Sequence, residues 1–161
     1  MIKYLPEDVS VTFAEIPTEI TLSINLSLCI RCCPGCHSPY LQKDIGKELT
    51  FYIIDCLLFR HHGITCVLFL GGDNDKETLV TFAEYIRDKS DVKIGWYSGE
   101  DELDLDHYGR YFDYIKVGSY KKDLGGLDSP TTNQRLYKIS KDKINLHIED
   151  ITNLFWKKIN K

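Results

Sequence analysis

Four of the six cysteines in this chain crowd into the segment 29–36, which reads CIRCCPGC. A disulfide framework spreads its cysteines along the chain to close loops, whereas reduced chains cluster them for metal binding or redox chemistry. The segment therefore predicts a metal site. Cys56 and Cys66 stand alone in apolar segments, and we interpret both as small buried hydrophobic residues.

Within this segment, Cys29, Cys33 and Cys36 form a CxxxCxxC triplet. Three thiolates from one tight loop can hold three irons of a 4Fe-4S cluster and leave the fourth iron free for an exchangeable ligand, whereas an electron-transfer cluster needs four ligands. Because adjacent side chains tend to project in different directions, we expect Cys32 to be a bystander. The triplet thus predicts a cluster with one reactive iron.

Two other ligand sets stay open on spacing alone. A zinc site would pair Cys29 and Cys32 with Cys33 and Cys36, but the two halves of a structural zinc site usually lie about a dozen or more residues apart so that two turns can face each other. A four-cysteine ferredoxin-like site would use Cys32, although bacterial ferredoxins space their ligands differently. Either set would make the chain a non-enzymatic zinc or electron-transfer module.

The cysteines follow a predicted strand in an alternation of strands and helices. Periodicity predicts these elements in chain order: strands over 9–16 and 19–26, a helix over 50–63, a strand over 64–70, a helix around 79–86, and strands over 92–97 and 111–117. This order predicts an α/β fold with a right-handed parallel sheet, whose functional loops lie at the carboxyl ends of the strands.

The remaining segments give weaker signals. Residues 118–135 are rich in Gly, Ser, Thr and Pro and have no periodicity, and residues 150–161 predict an amphipathic helix that carries Leu154, Phe155 and Ile159. There is no internal repeat, and a chain of 161 residues fits one domain over 1–161.

Polar and glycine residues stand where the predicted strands end. The sequence Gly71-Gly72-Asp73 follows the strand over 64–70, where such a turn commonly leads into a helix with Asp73 or Asn74 as its N-cap. Ser98 and Lys116 end the next two strands, where a hydroxyl and an ammonium group can meet a ribose or a carboxylate. Solvated strand ends are the alternative for both. His61, His62, His107 and His147 lie at ligand spacing from no cysteine or carboxylate, so we expect them at the surface or in helix caps.

Several motifs together resemble those of the radical S-adenosylmethionine enzymes, and among them the short activating proteins of anaerobic ribonucleoside-triphosphate reductases. The resemblance rests on the CxxxCxxC triplet and spans most of the chain. Its motifs are Cys33-Pro-Gly-Cys-His-Ser-Pro-Tyr40, Gly71-Gly-Asp73, Trp96-Tyr-Ser-Gly99, Tyr114-Ile-Lys-Val-Gly118 and Thr132-Asn-Gln-Arg135. Two positions depart from the usual pattern: Gly35 stands where many members have an aromatic residue, and Asp73 where the usual residue is the longer Glu.

The resemblance implies a fold, a reaction and partners. Because a full barrel of eight βα units needs about 200 residues or more, the implied fold is a partial, laterally open (β/α) barrel formed by a single radical S-adenosylmethionine domain over 1–161. The cofactors would be a 4Fe-4S cluster and S-adenosylmethionine, which is cleaved to generate a glycyl radical on the large catalytic subunit of the reductase. A flavodoxin-like or ferredoxin-like protein would donate the electron, and another glycyl-radical enzyme is the alternative partner.

The resemblance also implies roles for individual residues. The catalytic and metal-binding residues would be the three cysteines of the triplet, and residues 133–135 would shape the mouth at which the partner docks. In the family the carboxylate of the Gly-Gly-Asp turn accepts the amino group of the methionine moiety, which is a charge-assisted contact. The implied contacts to S-adenosylmethionine are Gly35, Cys36, His37, Gly71, Gly72, Asp73, Ser98 and Lys116.

Composition argues against two classes of partner. The formal net charge is -4 and the basic residues are dispersed, so no broad face for nucleic acid is expected. The apolar runs are far shorter than the roughly 18 residues that a membrane span needs, and the first residues lack a basic segment followed by an apolar one. We therefore expect a cytoplasmic protein that binds neither nucleic acid nor membrane.

Overall fold

The computed structural model describes residues 1–158, with side chains described as far as Trp156. Its strands are β1 (Lys3–Tyr4), β2 (Ser10–Thr12), β3 (Thr21–Asn25), β4 (Lys47–Glu48), β5 (Cys66–Leu70), β6 (Lys93–Tyr97), β7 (Tyr114–Val117), β8 (Arg135–Lys141) and β9 (Leu146–Asp150). The α-helices are α1 (Phe51–Arg60), α2 (Lys76–Lys89) and α3 (Leu105–Tyr108), and 3-10 helices cover Pro6–Asp8, Pro39–Gln42 and Thr152–Lys158.

Seven of these strands form one mixed sheet in the order β2-β3-β5-β6-β7-β8-β9. The four central strands β3, β5, β6 and β7 are parallel, whereas β2 is antiparallel to β3, and β8 and β9 continue the other side as antiparallel strands. Strands β1 and β4 form a separate antiparallel pair. The parallel strands therefore place their carboxyl ends along one edge of the sheet.

The predicted partial, laterally open (β/α) barrel is wrong. Antiparallel strands flank the parallel ones on both sides of the sheet, and residues 1–158 contain only three α-helices. The reason lies after β7, where Gly118 adopts a φ of +104° and the chain returns as the antiparallel hairpin β8–β9 instead of crossing over through a helix. Three helical crossovers cannot complete a barrel of repeated βα units.

The two faces of the sheet are covered by different parts of the chain. Val67 and Phe69 of β5 face a core that includes buried residues of α1 and α2, while Cys66 and Leu68 face a second core. The second core also contains Ile16, Tyr114, Leu136 and Ile151, which come from the loop after β2 and from β7 to the C-terminal segment. Because both faces of β5 are covered, its sequence is apolar throughout rather than alternating.

Several local predictions are corrected by the structure. The strands predicted over 9–16, 19–26 and 111–117 are shorter, and the N-cap of α2 is Asp75, whose Oδ1 accepts a hydrogen bond of 3.2 Å from the Thr78 N–H. Cys66 is buried as predicted, but Cys56 is only partly buried. The C-terminal segment is a 3-10 helix in which Leu154 and Phe155 pack against the second core, and the predicted helical residue Ile159 lies outside the described residues.

Within residues 1–158, no helix has both the length and the apolar character that a bilayer crossing requires.

Candidate functional site

One row of side chains crosses the carboxyl edge of the sheet. Leu70 of β5 is the register partner of Tyr97 of β6, which is in turn the partner of Lys116 of β7. Side chains alternate between the two faces of a strand, and this row lies on the face of the second core. Loops that leave the strands here can therefore reach a common space above the row.

This row forms part of the wall of an open cleft of about 540 Å³. Its volume falls in the range of about 300–1,000 Å³ that is common for small-molecule sites. Its other walls come from the loop after β2, the segment after the cysteines, the segment between β7 and β8, and the C-terminal segment. The lining residues are Ala14, Glu15, Cys36, His37, Ser38, Leu70, Tyr97, Lys116, Tyr120, Gly126, Leu127, Asp128, Gln134 and Phe155.

The cysteine loop, residues 29–36, begins shortly after β3 and is tied to the residues that follow it. The Cys29 N–H donates to the carbonyl oxygen of Leu41 at 2.9 Å, and the Cys36 N–H donates to that of Cys33 at 3.2 Å. The Ser38 N–H points at the Cys36 Sγ, 3.4 Å away. Backbone contacts therefore hold the two ends of the loop and orient one of the thiols.

The structure sets Cys32 apart from the other three cysteines of the loop. Cys29, Cys33 and Cys36 are partly buried, whereas Cys32 is exposed and has a φ of +46°. Burial raises the pKa of the Cys29 thiol, a hydrogen bond with the Arg31 backbone opposes this, and negative charge on Asp73, Cys33 and Cys36 raises it further. Thiolates are the ligands that iron-sulfur clusters require.

A single metal ion makes a stricter demand on geometry than a cluster. Among the described residues, no three His, Cys, Asp or Glu side chains converge closely enough to hold one ion. In a cubane cluster each cysteine binds a different iron, so the thiolates need not converge on one point. The donor types are compatible with a cluster, and Cys29, Cys33 and Cys36 are the residues that would hold it.

The Gly-Gly-Asp turn brings the end of β5 against the residues that precede the cysteine loop. Gly71 and Gly72 have φ values of +100° and +95°, a backbone conformation that glycine adopts readily. A Cβ on Gly71 would lie 3.3 Å from the carbonyl oxygen of Leu26, and a Cβ on Gly72 would lie 3.1 Å from the Leu26 Cδ1. Glycine is thus needed both for the turn and for the close approach.

Asp73 links the ends of β5 and β6. Its Oδ1 accepts a hydrogen bond of 2.6 Å from the Ser98 hydroxyl, and its Oδ2 accepts one of 2.8 Å from the Gly99 N–H. Asp73 and Ser98 are both buried, so the alternative of a solvated strand end is wrong for Ser98. Each carboxylate oxygen has two lone pairs, so Asp73 can still accept a further donor.

Lys116 is buried as well, and it uses its ammonium group on the backbone. The Nζ donates to the carbonyl oxygen of Ser98 at 3.1 Å and to that of Gly118 at 2.8 Å. Burial lowers its pKa from 10.5 to about 8, against the opposing effects of negative charge on Asp73, Cys33, Asp101 and Cys29. Lys116 therefore lines the cleft, and its ammonium group interacts electrostatically with the Gly-Gly-Asp turn and the cysteine loop.

The predicted site residues divide into two groups. Cys36, His37 and Lys116 line the cleft, where the exposed His37 ring packs against Tyr120 with 4.8 Å between ring centroids. The others lie beside the cleft without lining it: Cys29, Cys33, Gly35, Gly71, Gly72, Asp73 and Ser98. The first group can touch a molecule bound in the cleft, whereas the second belongs to the cysteine loop, to the Gly-Gly-Asp turn and to the residue after β6.

Sequence reasoning missed some of the residues that line the cleft. Tyr97 belongs to the Trp96–Gly99 motif, and in the structure its hydroxyl donates to the carbonyl oxygen of Glu15 and its ring lies in the register row. Its position at the last residue of a predicted strand was the available signal. Burial raises the pKa of the Glu15 carboxyl. Glu15 lies inside the strand predicted over 9–16, whose pattern does not indicate a cleft residue, and Tyr120 lies in the segment over 118–135 without periodicity.

The tract at residues 133–135 lies against the end of β7. The Asn133 Nδ2 donates to the carbonyl oxygen of Ser119 at 3.0 Å, and Gln134 lines the cleft. Arg135 instead donates to the carbonyl oxygens of Thr132 and Gln134 at 2.8 and 2.7 Å. Gln134 is thus the residue of this tract that lines the cleft. Arg135, the first residue of β8, instead bonds to the turn that precedes this strand.

Comparisons of this chain with protein-family models, with curated proteins and with solved structures find no match.

Proposed function

We propose that this chain is an iron-sulfur activase that cleaves S-adenosylmethionine reductively and generates the glycyl radical on the large catalytic subunit of an anaerobic ribonucleoside-triphosphate reductase. One observation carries the proposal: the CxxxCxxC loop, the Gly-Gly-Asp turn and the buried Lys116 lie together at the carboxyl edge of the sheet, beside a cleft that can take a nucleoside. Arg31 of the loop packs on Gly99, the Gly99 N–H and the Ser98 hydroxyl donate to Asp73, and the Lys116 ammonium donates to the Ser98 carbonyl oxygen. A site in this position is where open α/β sheets bind their ligands.

Cys29, Cys33 and Cys36 would hold the cluster. When bound, the cluster supplies an iron with a free coordination position and the electron that breaks a carbon-sulfur bond of S-adenosylmethionine, which yields methionine and a 5′-deoxyadenosyl radical. The side chains of the protein would orient the methionine moiety of S-adenosylmethionine. The free lone pairs of Asp73 suit the amino group of the methionine moiety, and the third N–H of Lys116 suits its carboxylate, because a charge-assisted hydrogen bond there would offset the burial of the ammonium group.

The cleft suits the adenosine part of the substrate. Tyr97, Tyr120 and Leu127 offer apolar and aromatic surface, while Glu15 and Gln134 offer polar groups. Binding sites for small molecules typically combine such apolar walls with a few polar groups that fix orientation. The cleft is open to solvent on one side, which would let a glycine-bearing loop of the reductase approach the radical.

The cysteine assignment is tested with two neighbouring variants, Cys32→Ala and Cys33→Ala. After anaerobic reconstitution and reduction, we expect wild type and Cys32→Ala to bind a full cluster, to change spectrum when S-adenosylmethionine is added and to release 5′-deoxyadenosine. Cys33→Ala should lose all three properties, because one iron loses its ligand. Iron counting, spectroscopy and product detection provide the readouts.

Other outcomes of this experiment would overturn the proposal. Equal losses in both variants would indicate a four-cysteine site. Zinc on elemental analysis, or a cluster spectrum that ignores S-adenosylmethionine, would indicate a zinc or electron-transfer module. The partner is tested separately by asking which purified glycyl-radical enzyme gains an organic radical signal; a signal only on an enzyme other than the reductase would make the chain an activase of that enzyme.

A further inference from the structure

Two carboxylates line the cleft, Glu15 from the loop after β2 and Asp128 from the segment between β7 and β8. Asp128 is exposed, so water can solvate its charge. Glu15 is only partly exposed, and burial raises the pKa of its carboxyl. Of the two carboxylates, that of Glu15 is therefore the one that needs a hydrogen-bond donor other than water.

The protein itself does not supply that donor. Within the described part of the chain, the hydrogen bond of Glu15 is made by its backbone carbonyl oxygen, and its carboxylate takes part in none of the ion pairs. The basic residues of the cleft are engaged elsewhere: Lys116 donates to two backbone carbonyl oxygens, and the His37 ring packs against Tyr120. Because a desolvated charge without hydrogen bonds is costly, the Glu15 oxygens suit donors on a bound molecule.

The backbone that carries Glu15 is fixed before any molecule binds. The Tyr97 hydroxyl donates to the Glu15 carbonyl oxygen. The next residue, Ile16, is fully buried in the second core, and its carbonyl oxygen accepts a hydrogen bond of 3.2 Å from the Glu19 N–H. An acceptor on an ordered backbone loses little conformational freedom when it binds a ligand.

The position of Glu15 relative to Lys116 indicates which part of a ligand it meets. Lys116 and Tyr97 are register partners on strands about 4.8 Å apart, and the hydroxyl at the far end of Tyr97 reaches Glu15. With the methionine carboxylate of the substrate at Lys116, the nucleoside would lie along Tyr97 toward Glu15. A ribose offers two adjacent O–H donors there, which match the two oxygens of a carboxylate.

We propose that Glu15 is a specificity-determining residue whose carboxylate accepts hydrogen bonds from the 2′ and 3′ hydroxyls of the ribose. The inference deepens the proposed function and rests on it, since S-adenosylmethionine is the molecule that brings the ribose. Acidic residues recognise ribose hydroxyls in the same way in dinucleotide-binding α/β sheets. A ligand without these hydroxyls would leave a desolvated carboxylate unpaired, so the cleft would reject it.

The test measures how removal of the carboxylate and removal of the hydroxyls depend on each other. The probes are S-adenosylhomocysteine, which has no sulfonium group to cleave, and its 2′,3′-dideoxy analogue, titrated calorimetrically into the anaerobically reconstituted protein. Wild type should bind the dideoxy analogue about 100-fold more weakly, or about 2.8 kcal/mol, because two hydrogen bonds to a charged acceptor are lost. In Glu15→Ala the two affinities should differ by less than about 3-fold.

Two control variants lie in the same cleft. Asp128→Ala removes the same charge from an exposed position, and Gln134→Ala removes a neutral polar side chain. Both should keep the preference of about 100-fold for the ribose hydroxyls. Loss of the preference in either control, with its retention in Glu15→Ala, would overturn the proposal.

Other outcomes would overturn it as well. If Glu15→Ala bound both ligands more weakly but kept the wild-type ratio, Glu15 would be a structural residue. Wild type that binds the two ligands equally, or binds neither, would show that no carboxylate reads the hydroxyls. Circular dichroism and thermal unfolding check that the three variants keep the fold.

Failure of the proposed function has a different signature. Wild-type protein would then cleave no S-adenosylmethionine after reduction. The binding of S-adenosylhomocysteine requires neither reduction nor cleavage, so the ratio of the two affinities still decides whether Glu15 recognises the ribose.

Discussion

Glu19 at the amino ends of the parallel strands and Asp73 at their carboxyl ends are both buried carboxylates, but they differ in pairing. Glu19 accepts hydrogen bonds from the hydroxyls of Thr65 at 2.5 Å and Tyr114 at 2.6 Å, and from the Lys93 ammonium. Burial raises the pKa of Glu19, but these hydrogen bonds outweigh burial, and its pKa lies below its ordinary value. The amino edge is therefore a closed network that stabilises the fold.

The carboxyl edge also contains a buried lysine and a buried carboxylate, but there some hydrogen-bond donors and acceptors have no partner. Lys116 forms no ion pair among the described side chains and donates only to two backbone carbonyls, so one of its three N–H groups is unused. The buried side-chain oxygens of Asn74 and Asn133 also have no hydrogen-bond partner within the described part of the chain. The buried hydroxyls of Thr21 and Ser23 in β3 lack partners too. Because buried polar groups are normally satisfied, the spare donor of the buried Lys116 ammonium, rather than unpaired oxygens as such, distinguishes the edge that we expect to bind a ligand.

The largest effect is expected from breaking the closed network. Glu19→Ala should lower the free energy of unfolding by about 3 kcal/mol, because Tyr114 and Lys93 lose their acceptor; the cost lies at the low end of the range for buried pairs, since Lys93 is about half exposed. Urea denaturation measures the change. The control, Glu84→Ala on the exposed face of α2, should change stability by less than about 0.5 kcal/mol. Equal losses in the two variants would mean that the amino edge is not a structural network.

A pH titration tests the carboxyl edge. The pKa of Lys116 is about 8 in the folded protein and 10.5 as its ordinary value. Between these two pH values the unfolded chain binds more protons than the folded protein, so the free energy of unfolding rises with pH. Below about pH 8 the buried ammonium group is charged and lowers the stability of the fold. Relative to Lys116→Met, wild type should gain about 2 kcal/mol in the free energy of unfolding between about pH 7 and about pH 9.5.

The titration has a matched control at the other edge. Lys93→Met also removes a lysine, but it leaves the buried Lys116 in place, so the gain in that pH range should remain. Parallel denaturation curves for wild type and Lys116→Met across the range would contradict the prediction. They would show that the Lys116 ammonium is as well solvated or as well paired as the lysine of the closed network.

The sequence predicted the central part of the fold because its signals there are local. The apolar run over 64–70 and the helical spacing around 79–86 correspond to β5 and α2. The hairpin β8–β9 was not predicted, since most residues of β9 are exposed and its apolar pattern is weak. The barrel was wrong for a related reason: the direction of a strand depends on long-range pairing, which periodicity does not report.

Candidate site residues were predictable where chemistry is concentrated in one segment. The cysteine loop and the Gly-Gly-Asp turn stand out in the sequence because their residue types are unusual for plain loops. The burial of Lys116 and the contribution of Glu15 to the cleft were not predictable, because both depend on segments that are distant in the chain. Lys116 becomes a cleft residue only through its register with Tyr97.

The smallest effect comes from removing one hydroxyl at each edge. Tyr114→Phe deletes a donor to Glu19, and Ser98→Ala deletes a donor to Asp73. Each should cost about 1 kcal/mol of stability, because a buried hydrogen bond is lost. Only Ser98→Ala should also weaken binding of S-adenosylmethionine to the reconstituted protein, by about 5-fold or about 1 kcal/mol, because Asp73 loses the contact that orients it. Calorimetric titration measures the affinity, and equal weakening by Tyr114→Phe would show that the two edges do not have separate roles.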